Sequence, residues 1–460
     1  MFSETIDNSK REQIQLVLRL SFPAIMAEIG SILMQYIDAA MVGSLGAKAT
    51  ASIGLIASTT WLMGGLGVAV SCGYSVQIAH LIGAKQFNQA RRTLRQAFTM
   101  VGLFSIFIAL IGIGIHSYLP HWLHGSEEIC TNASFYFLIY SCAIPIHHLR
   151  YLASSCLQCS GDMKTPSVLN TSLCFLDILF NLFCIFPSVS IFGFTLPSLG
   201  LGVLGAALGT ALSEGVVCLG MLYALCVRSE VLSLRIKESW KLQKEVVVNA
   251  LKITLPLAFE RFVMCGAQIT VTRIVAPLGT VSVAANSLGV TAESVCYMPA
   301  FGIASAGTTI IGQSLGAKRL ELARKLGRMT LFLGILLTIV TSVLMFVSAP
   351  WAFALLTPDV QVQELGVIII RIEMLAEVFY GAQIVISGIL RGAGDTFVPS
   401  VFNLVSMWCV RIVLSLLLVK EYGIIGVWAA MAIELTFRGI LFGVRFFREK
   451  WLKIPSIIKE

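Results

Sequence analysis

Long apolar segments alternate with short polar connections along the whole of the 460-residue chain. A helix needs about 20 apolar residues to cross the hydrocarbon core of a bilayer. Twelve segments exceed this length, at residues 14–44, 51–80, 96–118, 130–154, 166–190, 203–227, 248–277, 283–312, 329–351, 361–390, 398–419 and 424–446. The pattern predicts twelve transmembrane helices, and we expect those that carry Pro23, Pro145, Pro256 and Pro299 to be tilted or kinked.

The composition agrees with an all-α polytopic membrane protein. Hydrophobic residues make up 57% of the chain and charged residues only 13%, against about 45–50% and about 25% in ordinary soluble chains. So much apolar surface excludes a disordered chain and a soluble globule. The net charge of +8 comes from dispersed lysines and arginines that form no basic face. We therefore expect the lipid bilayer, and no nucleic acid, as a partner.

The cysteines and histidines form no pattern typical of a metal or redox site. The twelve cysteines stand mostly inside apolar segments, where a thiol behaves as a small hydrophobic group. The pairs His147-His148 and His121-x-x-His124 lack a further ligand at suitable spacing, and we expect them in loops or at helix interfaces. Neither a phosphate-binding loop nor a triad-like motif occurs. We expect no metal, no cofactor and no enzymatic activity.

Basic residues occur mainly in every second connection between the apolar segments. The even-numbered connections contain lysines and arginines such as Lys85 and Arg91, whereas the odd-numbered ones offer little beyond Lys48 and Lys420. The positive-inside rule then places the even-numbered connections and both termini in the cytoplasm. We therefore expect a multi-pass protein of the cell (inner) membrane.

The two halves of the chain are related by an internal repeat at an offset of 233 residues. The matched positions include Gly83 with Gly316, Lys85 with Lys318, Arg91 with Arg324, Gly161 with Gly394, and Asp162 with Asp395. Because six is an even number of helices, both copies enter the membrane in the same direction. We expect two six-helix lobes, at residues 1–228 and 248–460, related by a pseudo-twofold axis along the membrane normal. An amphipathic cytoplasmic linker, residues 229–247, would join them.

These motifs resemble those of the multidrug and toxic compound extrusion (MATE) transporters, over nearly the whole chain. The segment Asp38-Ala-Ala-Met-Val-Gly43 is similar to the end of the first helix of that family. The segment Gly312-Gln-Ser-Leu-Gly-Ala317, followed by Ala323-Arg324, is similar to its cytoplasmic loop signature, and Arg391-Gly-Ala-Gly-Asp-Thr396 to the turn after helix ten. The resemblance implies a secondary antiporter that exports cationic or amphipathic organic compounds in exchange for H⁺ or Na⁺.

Three other functions would need different features. A lipid-linked saccharide flippase of the same superfamily would favour a cavity rich in arginine and lysine, whereas the first half carries acids without matching basic residues at membrane depth. An intramembrane enzyme would need a reactive cluster near one interface and a large soluble loop, which the sequence lacks. A ligand-gated channel would show unitary currents. We therefore favour a monomeric antiporter with alternating access.

The strongest candidates for ion coupling are acids inside the apolar segments, since each costs about 2.5–3.5 kcal/mol on insertion scales. Gln35 and Asp38 belong to one polar face of the first helix, and in the MATE family an acid at this position is implicated in cation or proton coupling. The family usually has Asn in the fifth helix, followed four residues later by Asp or Asn. This chain has Asp177 and then Asn181, which are one turn apart on the same face, so we expect both at the coupling site.

Four glutamates of the second half are candidates for binding the substrate or a cation, namely Glu260, Glu293, Glu373 and Glu377. Glu260 matches an acid in the seventh helix of many MATE transporters, but Arg261 beside it could simply neutralise it. At the repeat offset Asp38 corresponds to Val271. The two halves are therefore not expected to bind the same thing.

Overall fold

The computed structural model of the chain describes residues 10–191, 194–234 and 240–453. The helices are α1 (Lys10–Gly43), α2 (Ala47–Gly83), α3 (Phe87–Ile115), α4 (Leu119–Trp122), α5 (Glu127–Ser160), α6 (Lys164–Ile185), α7 (Val203–Tyr223), α8 (Lys244–Val275), α9 (Thr280–Gly316), α10 (Leu320–Leu356), α11 (Val360–Met374), α12 (Glu377–Gly392), α13 (Phe397–Val405) and α14 (Val413–Phe447). Part of the predicted linker, residues 235–239 with Arg235 and Lys237, lies outside the described residues.

Nine helices within the described ranges are long and apolar enough to cross a membrane. The other predicted spans are also helical but differ in form. α8 carries the charged pair Glu260 and Arg261 near its centre, and the tenth predicted span is broken into α11 and α12. The last two spans meet at Gly423, where the backbone leaves helical geometry (φ 57°, ψ −135°). The predicted all-α polytopic fold is confirmed.

The described chain divides into two compact units. The amino-terminal unit contains residues 30–254, and the carboxy-terminal unit contains the residues up to Ile29 together with those from Leu255 onward. These boundaries fall inside α1 and α8, whereas the sequence repeat divides the chain at the linker. In the carboxy-terminal unit, a side chain added at Gly302 would come within 2.6 Å of the backbone nitrogen of Ile25. This close contact explains why the first part of α1 belongs to that unit.

The sequence repeat recurs in the hydrogen bonds of the turns. The backbone N–H of Lys85 donates to the carbonyl of Ile82 at 3.0 Å, and that of Lys318 donates to Leu315 at 2.9 Å. Both lysines have φ 59°, a left-handed conformation that ends a helix. Gly394 takes the corresponding left-handed conformation after α12 (φ 81°), as Gly161 does after α5 (φ 93°). Lys85, Lys318, Gly161 and Gly394 are therefore helix-ending residues.

Three elements were not predicted from the sequence. A short antiparallel hairpin pairs β1 (Ser188–Ile191) with β2 (Phe194–Pro197) between α6 and α7. Two helices also contain π-helical turns, at Ala224–Arg228 and Ser406–Ile412. Such turns insert one residue into the helical repeat and often occur at functional sites.

Candidate functional site

The acids predicted for ion coupling meet in the amino-terminal unit. The side-chain amide of Asn181 donates to Asp38 Oδ1 at 3.1 Å and to Asp177 Oδ2 at 2.8 Å. The carboxyl groups of Asp38 and Asp177 also lie within hydrogen-bonding reach of each other. Asp177 and Asn181 are one turn apart on α6 and are almost completely buried. The reversed order of these two residues therefore leaves both of them in contact with Asp38.

Residues of α7 complete this site. Ser213 donates its hydroxyl to Asp177 Oδ1 at 3.0 Å. A side chain at Gly209 would come within 2.1 Å of Asn181 Oδ1, so glycine is required for α6 and α7 to approach this closely. Gly205 makes a similar approach to the backbone of Cys184, as expected for a Gly-x-x-x-Gly pair.

The chemistry of the acid pair follows from counting donors and acceptors. Two carboxylates can share a hydrogen bond only if one of them carries a proton. Asn181 Oδ1 is buried and has no hydrogen-bond partner among the described residues, so it offers a further acceptor beside the pair. Two carboxyl groups and an amide oxygen can hold a proton, and they are also oxygen ligands that a hard cation prefers. Gln35 is exposed and takes no part in the hydrogen bonds of this group.

Three of the four candidate glutamates form a second group, in the carboxy-terminal unit. Glu293 of α9 and Glu373 and Glu377, on either side of the break between α11 and α12, each have an oxygen within 4.8 Å of the others. All three are buried. Both oxygens of Glu373 and of Glu377 have no hydrogen-bond partner within the described part of the chain. The geometry suits a cation or protons, because unpaired carboxylates are very costly at this depth.

Basic residues lie near the three glutamates. Arg438 forms a buried ion pair with Glu434 at 3.1 Å, and Ser406 also donates to Glu434. The guanidinium group of Arg438 lies 5.4 Å from the centre of the Tyr380 ring. Arg411 is close enough to Glu293 and Glu373 to interact with their charge. The group is therefore mixed in charge, with acids in excess.

Glu260 is not part of this group. Its carboxylate accepts a hydrogen bond from Ser400 on α13 at 3.1 Å. The described residues show no ion pair between Glu260 and Arg261, so the sequence-based alternative of simple neutralisation by its neighbour is not observed. Glu260 instead fixes α8 to α13.

The loop signature residues make contacts that hold helix ends. Arg91 donates to Asn88 at 2.9 Å, and Arg324 pairs with Glu449 at 2.9 Å. Asp395 pairs with Arg445 at 2.8 Å. Burial raises the pKa of the Asp395 carboxyl above its ordinary value, and the ion pair with Arg445 limits the rise.

A third charged group was not predicted from the sequence. Glu214 of α7 accepts from His147 Nδ1 at 2.9 Å and from Arg150 at 3.4 Å, and Arg150 also donates to Asn170 at 3.0 Å. His147 lies within α5 and contacts Glu214 of α7, which agrees with the expected place at a helix interface. Arg150 lies in the same helix and is a basic partner that the sequence analysis did not assign to Glu214. The sequence signal for this group was the three-residue spacing of His147 and Arg150 in one apolar segment, together with Glu214 as the single acid of another.

A multi-pass helical protein with paired acids buried inside its helices is typical of a secondary transporter. The family profile named MatE matches residues 23–183 and 256–417, so that each half is matched once. The chain therefore belongs to the MATE family of multidrug and toxic compound extrusion transporters.

Relatives and solved structures agree with this assignment. The chain is 27% identical to the probable multidrug resistance protein NorM of Thermotoga maritima, over 96% of this chain and 94% of that one. It is 24% identical to the protein of the same name in Mesorhizobium japonicum, over 98% and 97%. A MOP superfamily transporter from Pyrococcus furiosus has the same fold, with a TM-score of 0.88 at 18% identity over 96% of this chain and 97% of that one. A MATE transporter of Vibrio cholerae also scores 0.88 at 18% identity, over 97% and 98%.

Proposed function

We propose that this chain is a secondary active antiporter that exports cationic or amphipathic organic compounds in exchange for H⁺ or Na⁺. The observation that carries the proposal is the hydrogen-bonded group that Asp38 forms with the buried residues Asp177 and Asn181. A pair of acids that share one proton can bind and release an ion without leaving two bare charges inside the membrane. The names of the relatives, which describe multidrug resistance proteins, support the substrate class.

The ion gradient would supply the energy for export. One charge that crosses 100 mV provides about 2.3 kcal/mol before any concentration difference is counted. When Asp38 and Asp177 hold an ion, their net negative charge is lower and attracts an organic cation less strongly. Binding of the ion therefore opposes binding of the cation. This opposition is what couples the movement of the two solutes in opposite directions.

The three glutamates of the carboxy-terminal unit would bind the substrate or a further cation. Their excess negative charge favours cations, and Tyr380 beside Arg438 offers an aromatic surface. We assign Glu260 a supporting role, because its carboxylate is held by Ser400. Gln35, which is exposed on α1, would contact the substrate rather than the coupled ion.

The flippase alternative is less well supported. Its pyrophosphate ligand would need free arginines or lysines at membrane depth. Arg150 lies in an apolar span of the amino-terminal unit, but it is not free, because it donates to Glu214 and Asn170. The proposal places the protein in the cell (inner) membrane as a monomer, with both termini in the cytoplasm, on the basis of the positive-inside rule.

Reconstitution into vesicles tests the function. We expect a fluorescent cationic dye such as ethidium to be transported when an inward gradient of H⁺ or Na⁺ is imposed. Asp38→Asn should abolish the transport driven by either gradient but leave insertion into the vesicles intact. Transport by the wild type that neither gradient accelerates would refute the antiporter, and undiminished transport by Asp38→Asn would remove this acid from the mechanism.

A further inference from the structure

The charged group of Glu214, His147 and Arg150 in the amino-terminal unit has no part in the ion site described above. His147 Nδ1 lies 2.9 Å from Glu214 Oε1, and Arg150 lies 3.4 Å from the same oxygen. The side chains of Glu214 and Arg150 are each only 12% exposed, and that of His147 is 23% exposed. A histidine in contact with a buried carboxylate is suited to accept and release protons.

The hydrogen bond to Glu214 determines which nitrogen of His147 can accept a proton. Arg150 keeps Glu214 ionised, so Glu214 can only accept hydrogen bonds. Nδ1 must therefore carry the hydrogen in the neutral ring, which leaves a lone pair on Nε2. Once Nε2 binds a proton, the carboxylate stabilises the resulting imidazolium, as the acid does in a catalytic triad.

The free nitrogen of His147 faces a space next to Gly64 on α2. A side chain added at Gly64 would lie 3.5 Å from His147 Nε2 and 3.2 Å from the hydroxyl of Tyr140. The Tyr140 hydroxyl donates to the backbone carbonyl of Thr60 at 2.9 Å, which leaves its oxygen able to accept. The hydroxyl and the imidazole therefore border the same space.

Tyr136 connects this space with the acid pair. Its phenol is close enough to Asp38, Asp177 and Glu214 to interact with the charge of all three. Tyr136, Tyr140 and His147 are separated by four and seven residues on α5, so they share one face of the helix. These side chains therefore place polar groups along one face of α5, from the neighbourhood of the acid pair to Glu214.

The helix positions show which group, the acid pair or the His147 group, is nearer to the connection between α5 and α6. Arg150 is fixed to Asn170, which precedes Asp177 by seven residues on α6, or about 10 Å along the helix axis. The His147 group is therefore nearer to the connection between α5 and α6 than the acid pair is. The positive-inside rule places this connection in the cytoplasm.

We propose that His147 and Glu214 form a second proton-binding site, through which the proton from the Asp38–Asp177 pair passes to the cytoplasmic side. This inference rests on the proposed antiporter function, with H⁺ as the coupled ion. An O–H bond in the acid pair breaks, and an N–H bond forms at His147 Nε2. Loss of this proton to the cytoplasm restores the neutral ring.

An imidazole is the side chain whose ordinary pKa lies in the physiological range. The titratable or charged neighbours of His147 and Glu214 are Arg150, His148, Tyr136, Tyr140 and Cys218. α2 contributes the backbone of Met63 and Gly64, and α6 contributes the amide of Asn170. Phenols and thiols ordinarily titrate at about pH 10 and about pH 8.5, whereas an imidazole ordinarily titrates at about pH 6.5.

The chain offers a matched control in the neighbouring histidine. His148 is fully buried, its Nε2 lies 3.2 Å from the carbonyl of Met63, and its ring stacks on Phe104. It has the same side chain as His147 and lies beside it, but it makes no hydrogen bond to Glu214. Glutamine at either position can keep a hydrogen-bond donor but cannot carry a proton.

The test compares His147→Gln with His148→Gln in vesicles across the range from about pH 5 to pH 8, and also measures equilibrium binding of ethidium to the purified protein. We expect His147→Gln to slow H⁺-driven dye transport at least about tenfold, as loss of a proton-transfer group does, and to flatten its pH dependence. Dye binding should stay within about twofold of the wild type, because His147 holds no part of the ion site. His148→Gln should keep the pH profile of the wild type, even if less of it folds.

Two results would overturn the inference. The first is a His147→Gln protein with the rate and pH profile of the wild type. The second is a parallel loss of transport and dye binding in both variants, which would indicate a packing role. A wild type that is driven by Na⁺ but not by H⁺ would overturn the proton path while leaving the antiporter in place, and one driven by neither would refute the proposed function itself.

Discussion

The two units of the chain hold their buried acids in different ways. In the amino-terminal unit, Asp177 accepts hydrogen bonds from two neutral donors, Asn181 and Ser213, and lies beside Asp38. In the carboxy-terminal unit, the oxygens of Glu373 and Glu377 have no such donors among the described residues. Yet the turns of the two units repeat the same hydrogen bonds.

This difference indicates that the duplicated units share a scaffold but not a ligand. The acid pair of the amino-terminal unit is satisfied when it holds one proton, so it can exist without another ion. Three unpaired glutamates near two arginines are satisfied only when they bind protons or a cation. The amino-terminal unit is therefore suited to ion coupling, and the carboxy-terminal unit to binding a positively charged solute.

The largest effect on stability is expected from removing charge in the carboxy-terminal unit. In the double variant Glu373→Gln with Glu377→Gln, buried carboxylates without donors are replaced by neutral amides. We expect the free energy of unfolding in detergent, without added cation, to rise by about 1–3 kcal/mol, which is the cost of an unsatisfied buried polar group. Thermal unfolding monitored by circular dichroism measures this change.

The same variant separates a cation site from a purely structural cluster. A cation that binds only the folded protein stabilises it in proportion to its concentration above the dissociation constant. Organic cations should therefore raise the unfolding temperature of the wild type more than that of the double variant. A double variant that is less stable than the wild type and is stabilised equally would contradict the assignment.

A smaller effect, equal in both units, is expected at the shared turns. Gly161→Ala and Gly394→Ala each force a side chain into a left-handed conformation, at a cost of about 1–2 kcal/mol. Because the turns repeat, we expect the two variants to lose the same stability within about 0.5 kcal/mol. Unequal losses, measured by the same unfolding assay, would show that the two turns do not contribute equally to stability.

The features that follow from local pattern could be predicted from the sequence. Apolar length predicts the spans, and the offset of 233 residues predicts the matched turns at Lys85 and Lys318. The coupling group was also predictable, because Asp177 and Asn181 share a helix face and each acid in an apolar span needs a partner. The break at Gly423 agrees with the predicted connection at residues 420–423, whereas the junction between α11 and α12 was not predictable, since it does not interrupt the apolar pattern.

Contacts between distant helices were not predictable in the same way. Glu293 meets Glu373 and Glu377 only because α9 packs against the junction of α11 and α12. Glu214 lies 67 residues from His147 in the chain, and nothing in either segment specifies that α5 and α7 bring them together. Sequence pattern identifies which side chains need partners, whereas packing decides which partners they find.

The central claim is that the Asp38–Asp177 pair exchanges an inorganic ion for an organic cation, and ion release on binding tests it most directly. Ethidium is added to purified protein in weakly buffered detergent solution, and the H⁺ released is counted at several Na⁺ concentrations. We predict that binding of the dye releases about one proton or is weakened by Na⁺, and that Asp38→Asn loses this response while it still folds. Dye binding by the wild type that releases no proton, ignores Na⁺ and matches that of Asp38→Asn would contradict the account.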